Sequence, residues 1–207
     1  SKPLTDEERK AVLAMAQEVL DFAKFAMSFA KENIFPKYLE VVKSLGVITT
    51  GFLGTVKKDG ALNLYDGNLR LMAPDGSYED FPYNRYTEFI AEHIEDWSYL
   101  KFPYAKKWGS FSMDPERPGG IYRANTLARL NVCDHIDTPL AQAELEGFRK
   151  MFGRPAQLTL LYHWARLIEL LYNAEHLNQL LDDPEICGGN TRAACTPRAA
   201  VEARGVP

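Results

Sequence analysis

The chain has 207 residues, 46% of them hydrophobic and 25% charged, with a formal net charge of -4 and a pI near 5.6. That length suits one domain or one and a half with a real core, and a slight acidic excess without clustered Lys and Arg argues against nucleic acid as a partner. No apolar run approaches the roughly 20 residues of a membrane span, and the opening Ser1 to Glu8 is polar and acidic, unlike a secretory signal.

Thr5-Asp6-Glu7-Glu8 reads as a capping box. Behind it Val12, Met15, Ala16, Val19, Leu20, Ala23 and Met27 recur at helical spacing, which predicts a long helix to about Lys31. Pro36 breaks the pattern, and 37–45 reads as a short second helix closed by Gly46. From Val47 to Tyr78 β-branched residues alternate around Asp59-Gly60, Asp66-Gly67 and Asp75-Gly76, the pattern of a small antiparallel meander. Tyr86, Phe89, Ile90 and Ile94 return to helical spacing over 83–95. The stretch from Trp97 to Gly120 is rich in Pro, Gly and aromatics and reads as an ordered but irregular connection. Thr138-Pro139 starts a further helix that Gly153-Arg154-Pro155 ends. The last helix, about 157–181, carries apolar residues around more than half its girth, so it is expected to be the most buried. Leu13, Leu20, Trp164, Leu167 and Leu171 are expected core positions.

Cys133, Cys187 and Cys195 are an odd number at wide spacing, which points to reduced thiols rather than a disulfide framework or a C-x-x-C metal site. Glu92, His93, Glu95 and Asp96 look superficially like a metal cluster, but they read better as an exposed acidic helix end. His163 and Arg166 lie three apart on the last helix and share a face; their plain reading is a His bonded to backbone and an Arg paired with Glu169 or Glu175. Arg123 and Arg129 flank Asn125-Thr126, and a salt bridge is the plain reading of Arg129. Nucleotide-binding, serine-hydrolase and zinc-protease signatures are all missing from the sequence.

Three segments taken together carry a family likeness: Trp97 to Tyr104 (W-S-Y-L-K-F-P-Y), Ile121 to Asn131 and Leu161 to Leu171. In this order they resemble the middle of the large, or alpha, subunit of cytoplasmic nickel-iron hydrogenases of the NAD-reducing, F420-nonreducing and sulfhydrogenase-like group. Asp66-Gly67-Asn68-Leu69-Arg70 resembles a further element of that family, and Asn125-Thr126 departs from its usual Gly-Pro. The family's two C-x-x-C pairs, its relay Glu and its C-terminal His have no counterpart here. The resemblance thus implies a central piece of the catalytic subunit, in keeping with a start that is not Met, itself inactive and holding no cofactor, with the nickel-iron centre in the parent subunit. His163, Arg166 and Arg129 would line the wall of that active-site region, with no catalytic, cofactor-binding or metal residue in the piece itself.

The expected fold is mainly α with a small antiparallel β insert, an α+β class. Residues 1–187 would form the central helical region, with the meander at about 47–78, and 188–207 a flexible tail. The resemblance further implies a cytoplasmic location, a small subunit with iron-sulfur clusters and electron-acceptor subunits as partners, and an acceptor such as nicotinamide, a deazaflavin or a ferredoxin-type protein. Self-association of the piece is expected from its uncovered apolar surface. The competing reading is a metal-free helical scaffold or interaction module derived from the same superfamily.

Overall fold

The computed structural model of the chain describes residues 3–189 and 191. Thr5 opens helix α1 (Asp6–Phe29) with the expected capping box: its hydroxyl accepts from the Glu8 N–H at 3.1 Å, and its own N–H donates to the Glu8 carboxylate at 2.9 Å. The chain does not break near Lys31 as the spacing predicts. It widens into one π turn, Ala30–Ile34, and continues as helix α2 (Phe35–Ser44), with Pro36, which has no N–H to donate, in its first turn.

The meander is present and ends slightly later than expected. Strands β1 (Gly51–Val56), β2 (Asn68–Met72) and β3 (Tyr78–Pro82) pair antiparallel in the order β3-β2-β1. A short strand β6 (Tyr122–Arg123) adds to the free side of β1 in parallel, Gly51 opposite Tyr122. Gly51 must be glycine there, because a Cβ would sit 2.0 Å from the Trp108 ring. Strand alternation divides the two faces. Phe52, Val56 and Met72 join the helical core, whereas Leu69, Leu71 and Phe81 join a second, smaller core.

That second core is closed by an element read as helix. Residues 83–95 form only a 3-10 turn and one helical turn, α3 (Tyr86–Phe89), before strand β4 (Ile90–Ile94), which pairs antiparallel with β5 (Lys101–Ala105). The apolar spacing fits a helix, but Ile90 buries itself by pairing opposite Ala105, so tertiary pairing overrides the local pattern. The connection after Trp97 is accordingly less irregular than expected, since β5 lies within it.

Helices α4 (Asn125–Val132), α5 (Pro139–Phe152) and α6 (Tyr162–Asp182) complete the order. Helix α4 buries six of its eight residues, against nine of twenty-one in α6, so the expectation that the last helix would be the most buried fails. Trp164 on α6 is enclosed by Phe35, Phe148 and Phe152, with centroids at 4.0, 6.2 and 5.4 Å. Leu171 is buried as expected, while Leu13, Leu20 and Leu167 are half-buried. The fold is α+β, mainly helical with a small sheet, as the sequence suggests. Among the described residues no helix is long and apolar enough to cross a membrane. The expected flexible tail at 188–207 lies outside the described residues except for 188, 189 and 191.

Candidate functional site

Helix α4 is the hub. Its start is set by Asn125, the only non-glycine with positive φ among the described residues, at 75°. Asn is among the few side chains that tolerate the left-handed region, and its Oδ1 accepts from the Thr126 N–H at 2.7 Å. A position where the resembled family has Gly therefore keeps a glycine-like backbone. Just before it, Arg123 donates to the carbonyls of Ile48 and Gln157 and to the Thr50 hydroxyl at 2.8–3.0 Å, lies over the Phe52 ring, and has its pKa lowered by burial.

The far end of α4 leaves carbonyls without helical partners, and three arginines satisfy them. Arg149 bonds Leu130 O and Cys133 O at 2.9 and 2.6 Å, Arg154 bonds Asn131 O and Val132 O at 2.7 and 2.9 Å, and Arg70 bonds Val132 O at 3.0 Å. Asp134 accepts from Arg70 and Arg154 at 2.8 and 3.0 Å; burial opposes its charge, but the two guanidinium groups more than offset this and lower its pKa. Arg70 is also bidentate to Asp80, the first cause of its raised pKa. Sequence reasoning passed over this cluster. Only Arg70 carried a signal, as part of the Asp66 to Arg70 element.

Arg129 points from mid-α4 to α6, where both its Nε and Nη2 meet the Glu169 carboxylate at 2.7 Å, with Glu169 8% exposed. The expected salt bridge is thus real. Beside Arg129 a cleft of about 460 Å³ opens between the sheet, the β4–β5 ribbon and the start of α4, lined by Leu53, Leu69, Tyr86, Ile90, Tyr122, Asn125 and Arg129 among others. Burial pushes the Tyr122 phenol up to about 12, so it stays protonated.

Of the three residues singled out from sequence, only Arg129 reaches this cleft. His163 and Arg166 are exposed on α6, and the acids proposed for Arg166 are taken. Glu169 holds Arg129, and Glu175 accepts from the N–H groups of Leu140 and Ala141, both at 2.9 Å. The acidic patch also separates: Glu92 pairs with Lys101 at 2.6 Å and His93 with Glu95 at 2.9 Å, on a strand rather than a helix.

No protein-family model matches the chain. The vhu F420-non-reducing hydrogenase of Methanococcus voltae has a subunit that is 40% identical over 200 residues, covering 96% of this chain and 46% of that protein. The F420-non-reducing hydrogenase iron-sulfur subunit of Archaeoglobus profundus is 33% identical over 198 residues, 93% of this chain and 40% of the relative. The crystal structure of an NAD+-reducing NiFe-hydrogenase in the H2-reduced state matches with a TM-score of 0.83 at 35% identity, over 95% of this chain and 43% of that one. The chain spans less than half the length of these relatives.

These findings correct three expectations. The relatives are hydrogenase subunits, and the Archaeoglobus profundus relative is named an iron-sulfur subunit. The assignment to a large, nickel-bearing catalytic subunit is therefore withdrawn, and with it the metal-free scaffold. The cofactor expectation, none in the piece and nickel-iron in its parent, falls for the same reason, since that relative's name carries an iron-sulfur group. The described residues do not themselves fit such a cluster, which needs several converging thiolates. Among them no three His, Cys, Asp or Glu side chains are placed to hold a metal. Burial pushes the Cys133 thiol up to about 11, leaving it a protonated core side chain, and Cys195 lies outside the described residues.

Proposed function

We propose that this chain works in a multisubunit hydrogenase, an oxidoreductase acting on hydrogen, as a section of a subunit similar to the matching ones of the F420-non-reducing enzymes. The likeness to the Methanococcus voltae protein along nearly the whole chain carries this reading. The described residues contribute the frame. Glu169 and the Arg129 guanidinium lock α4 to α6, while Arg70, Arg149 and Arg154 fix the other end of α4. A rigid frame of this kind holds neighbouring redox groups at a constant distance and keeps water from them. Arg129 is a positioning residue here; His163 and Arg166, exposed on the same helix as Glu169, offer polar contacts to whatever lies against α6. Other hydrogenase subunits are its partners, and a cytoplasmic location accompanies the reading. A tagged copy recovered from the organism that makes it should bring down further hydrogenase subunits, identified by mass, and the eluate should reduce benzyl viologen under hydrogen. An eluate with neither would sink the proposal.

A further inference from the structure

Between β5 and β6 the chain makes a loop, 109–120, whose ends are tied together. The Gly120 N–H donates to Ser110 O at 2.9 Å, and the Ala105 N–H to Gly120 O at 2.7 Å. Gly119, at a φ of 57°, must be glycine, since a Cβ would stand 2.5 Å from Ser110 O. Phe111 fastens the body of this closed loop to the ribbon. It stacks on the His93 ring of β4, with centroids 4.6 Å and planes 13° apart, and tilts against Phe102 of β5 at 5.1 Å. His93 and Phe102 are opposite each other in the ribbon, and the residues that alternate with them, Ile90, Glu92 and Pro103, line the cleft. The ribbon is therefore a wall with the cleft on one side and the loop on the other. From the loop the chain runs directly into Tyr122 and Asn125, which line the cleft as well.

This fastening contains a group that titrates. His93 Nε2 lies 2.9 Å from the Glu95 carboxylate, which can only accept, so Nε2 carries a proton. Among the described residues Glu95, just past the end of β4, is the charged group within ion-pair distance of the ring, and Asp96 follows it in the ribbon turn. Other nearby charges are paired elsewhere: Glu92 with Lys101 on the cleft side of the ribbon at 2.6 Å, and Asp114 of the loop with Arg117 at 3.1 Å. Phe102 and Phe111 face the imidazole from β5 and the loop, and Tyr104, on the same side of β5, stands opposite Ala91. An imidazolium gains twice in this position. Its bond to Glu95 becomes charge-assisted, and its charge lies over the face of the Phe111 ring. Both gains go when the ring loses its second proton, and imidazole is the side chain that changes charge between about pH 5 and 8. We propose that His93 and Phe111 form a pH-operated latch. With His93 protonated, the 109–120 loop is clamped to the ribbon and the cleft wall is stiff; with His93 neutral, the loop lifts and the wall loosens. This does not rest on the hydrogenase reading.

The test is amide hydrogen exchange on the full 207-residue chain at about pH 5 and about pH 8, each rate divided by its intrinsic rate at that pH. From the lower to the higher pH, protection of the Gly120 amide and of the β4–β5 amides should fall together by about fivefold or more, the size of a cation–π contact with a charge-assisted bond. The amides of α4 and α6 should keep theirs. His93→Phe retains the stack but not the titration, so its loop should be protected equally at both pH values. Phe111→Ala should leave the loop at both pH values near the wild-type level of the higher one. Glu95→Gln, which keeps an acceptor and removes the charge, should shrink the response. Wild-type protection that ignores pH, a response that survives His93→Phe, or a loop that responds while the ribbon does not would each overturn the proposal. So would a response shared by α4, which reports the whole fold weakening rather than a latch. Hydrogen-dependent dye reduction reads the hydrogenase proposal separately, so the two can fail independently.

Discussion

Arg129 and Glu169 show how much rides on a single pair. Taking away one member of a buried, bidentate ion pair strands the other charge, which costs more than the pair itself contributes. Arg129→Ala should therefore lower the unfolding free energy by about 3 kcal/mol or more, whereas Arg129→Met with Glu169→Leu should recover most of it; urea denaturation of the three variants is the check. Cys133 makes a pH-dependent case. Burial raises its pKa from 9.0 to about 11, so the folded state keeps a proton that the unfolded chain releases. Its contribution is complete below pH 9 and lost as pH rises towards 11. The stability gap between wild type and Cys133→Ala should shrink across that range. At this scale the sequence revealed the pairing of Arg129 but not its partner's identity alone, since Glu169 was offered to Arg166. Helical spacing says which residues share a face, not which neighbouring helix reaches that face first.

Among the elements, α5 is instructive. Thr138 precedes Pro139 in the usual capping arrangement, yet its side chain makes no cap bond and its buried hydroxyl has no partner. Glu175, from α6, does the capping with both carboxylate oxygens. Glu175→Ala should cost about 2 kcal/mol and speed amide exchange in the first turn of α5, with Thr138→Ala close to neutral. The start and end of α5 were legible because Pro and Gly act locally. The cap was not, because it comes from a residue 35 positions away. The same contrast explains 83–95, where a local apolar rhythm suggested a helix and a partner strand decided otherwise. It explains α1 as well, whose capping box acts locally and stands as read, while its far end runs on through a π turn that no periodicity announces.

For the whole molecule, one core joins α1, β1, α4, α5 and α6, and a second lies beneath the ribbon. Leu145→Ala, at 0% exposure, should cost about 2–5 kcal/mol, while Leu167→Ala should cost under about 2 because that side chain is only half enclosed. Because Leu145 belongs to the shared core, its loss should shift the tryptophan-fluorescence and circular dichroism transitions together; separate midpoints would show that the ribbon melts alone. The α+β class was readable because helix and strand periodicities differ. The cleft beside Arg129 was not, being assembled from β1, β2, α3, β4, β5, β6 and α4. The packing of α1 on α6 also sets the timing of synthesis. Ala16 and its α6 partner Asn178 are 162 residues apart, so at ribosomal rates of roughly 5–20 residues per second the first helix waits on the order of 10–30 s for its cover. Throughout that interval the side of α1 that will pack on α6, with Ala16, Ala23 and Met27, has no cover from its partner helix.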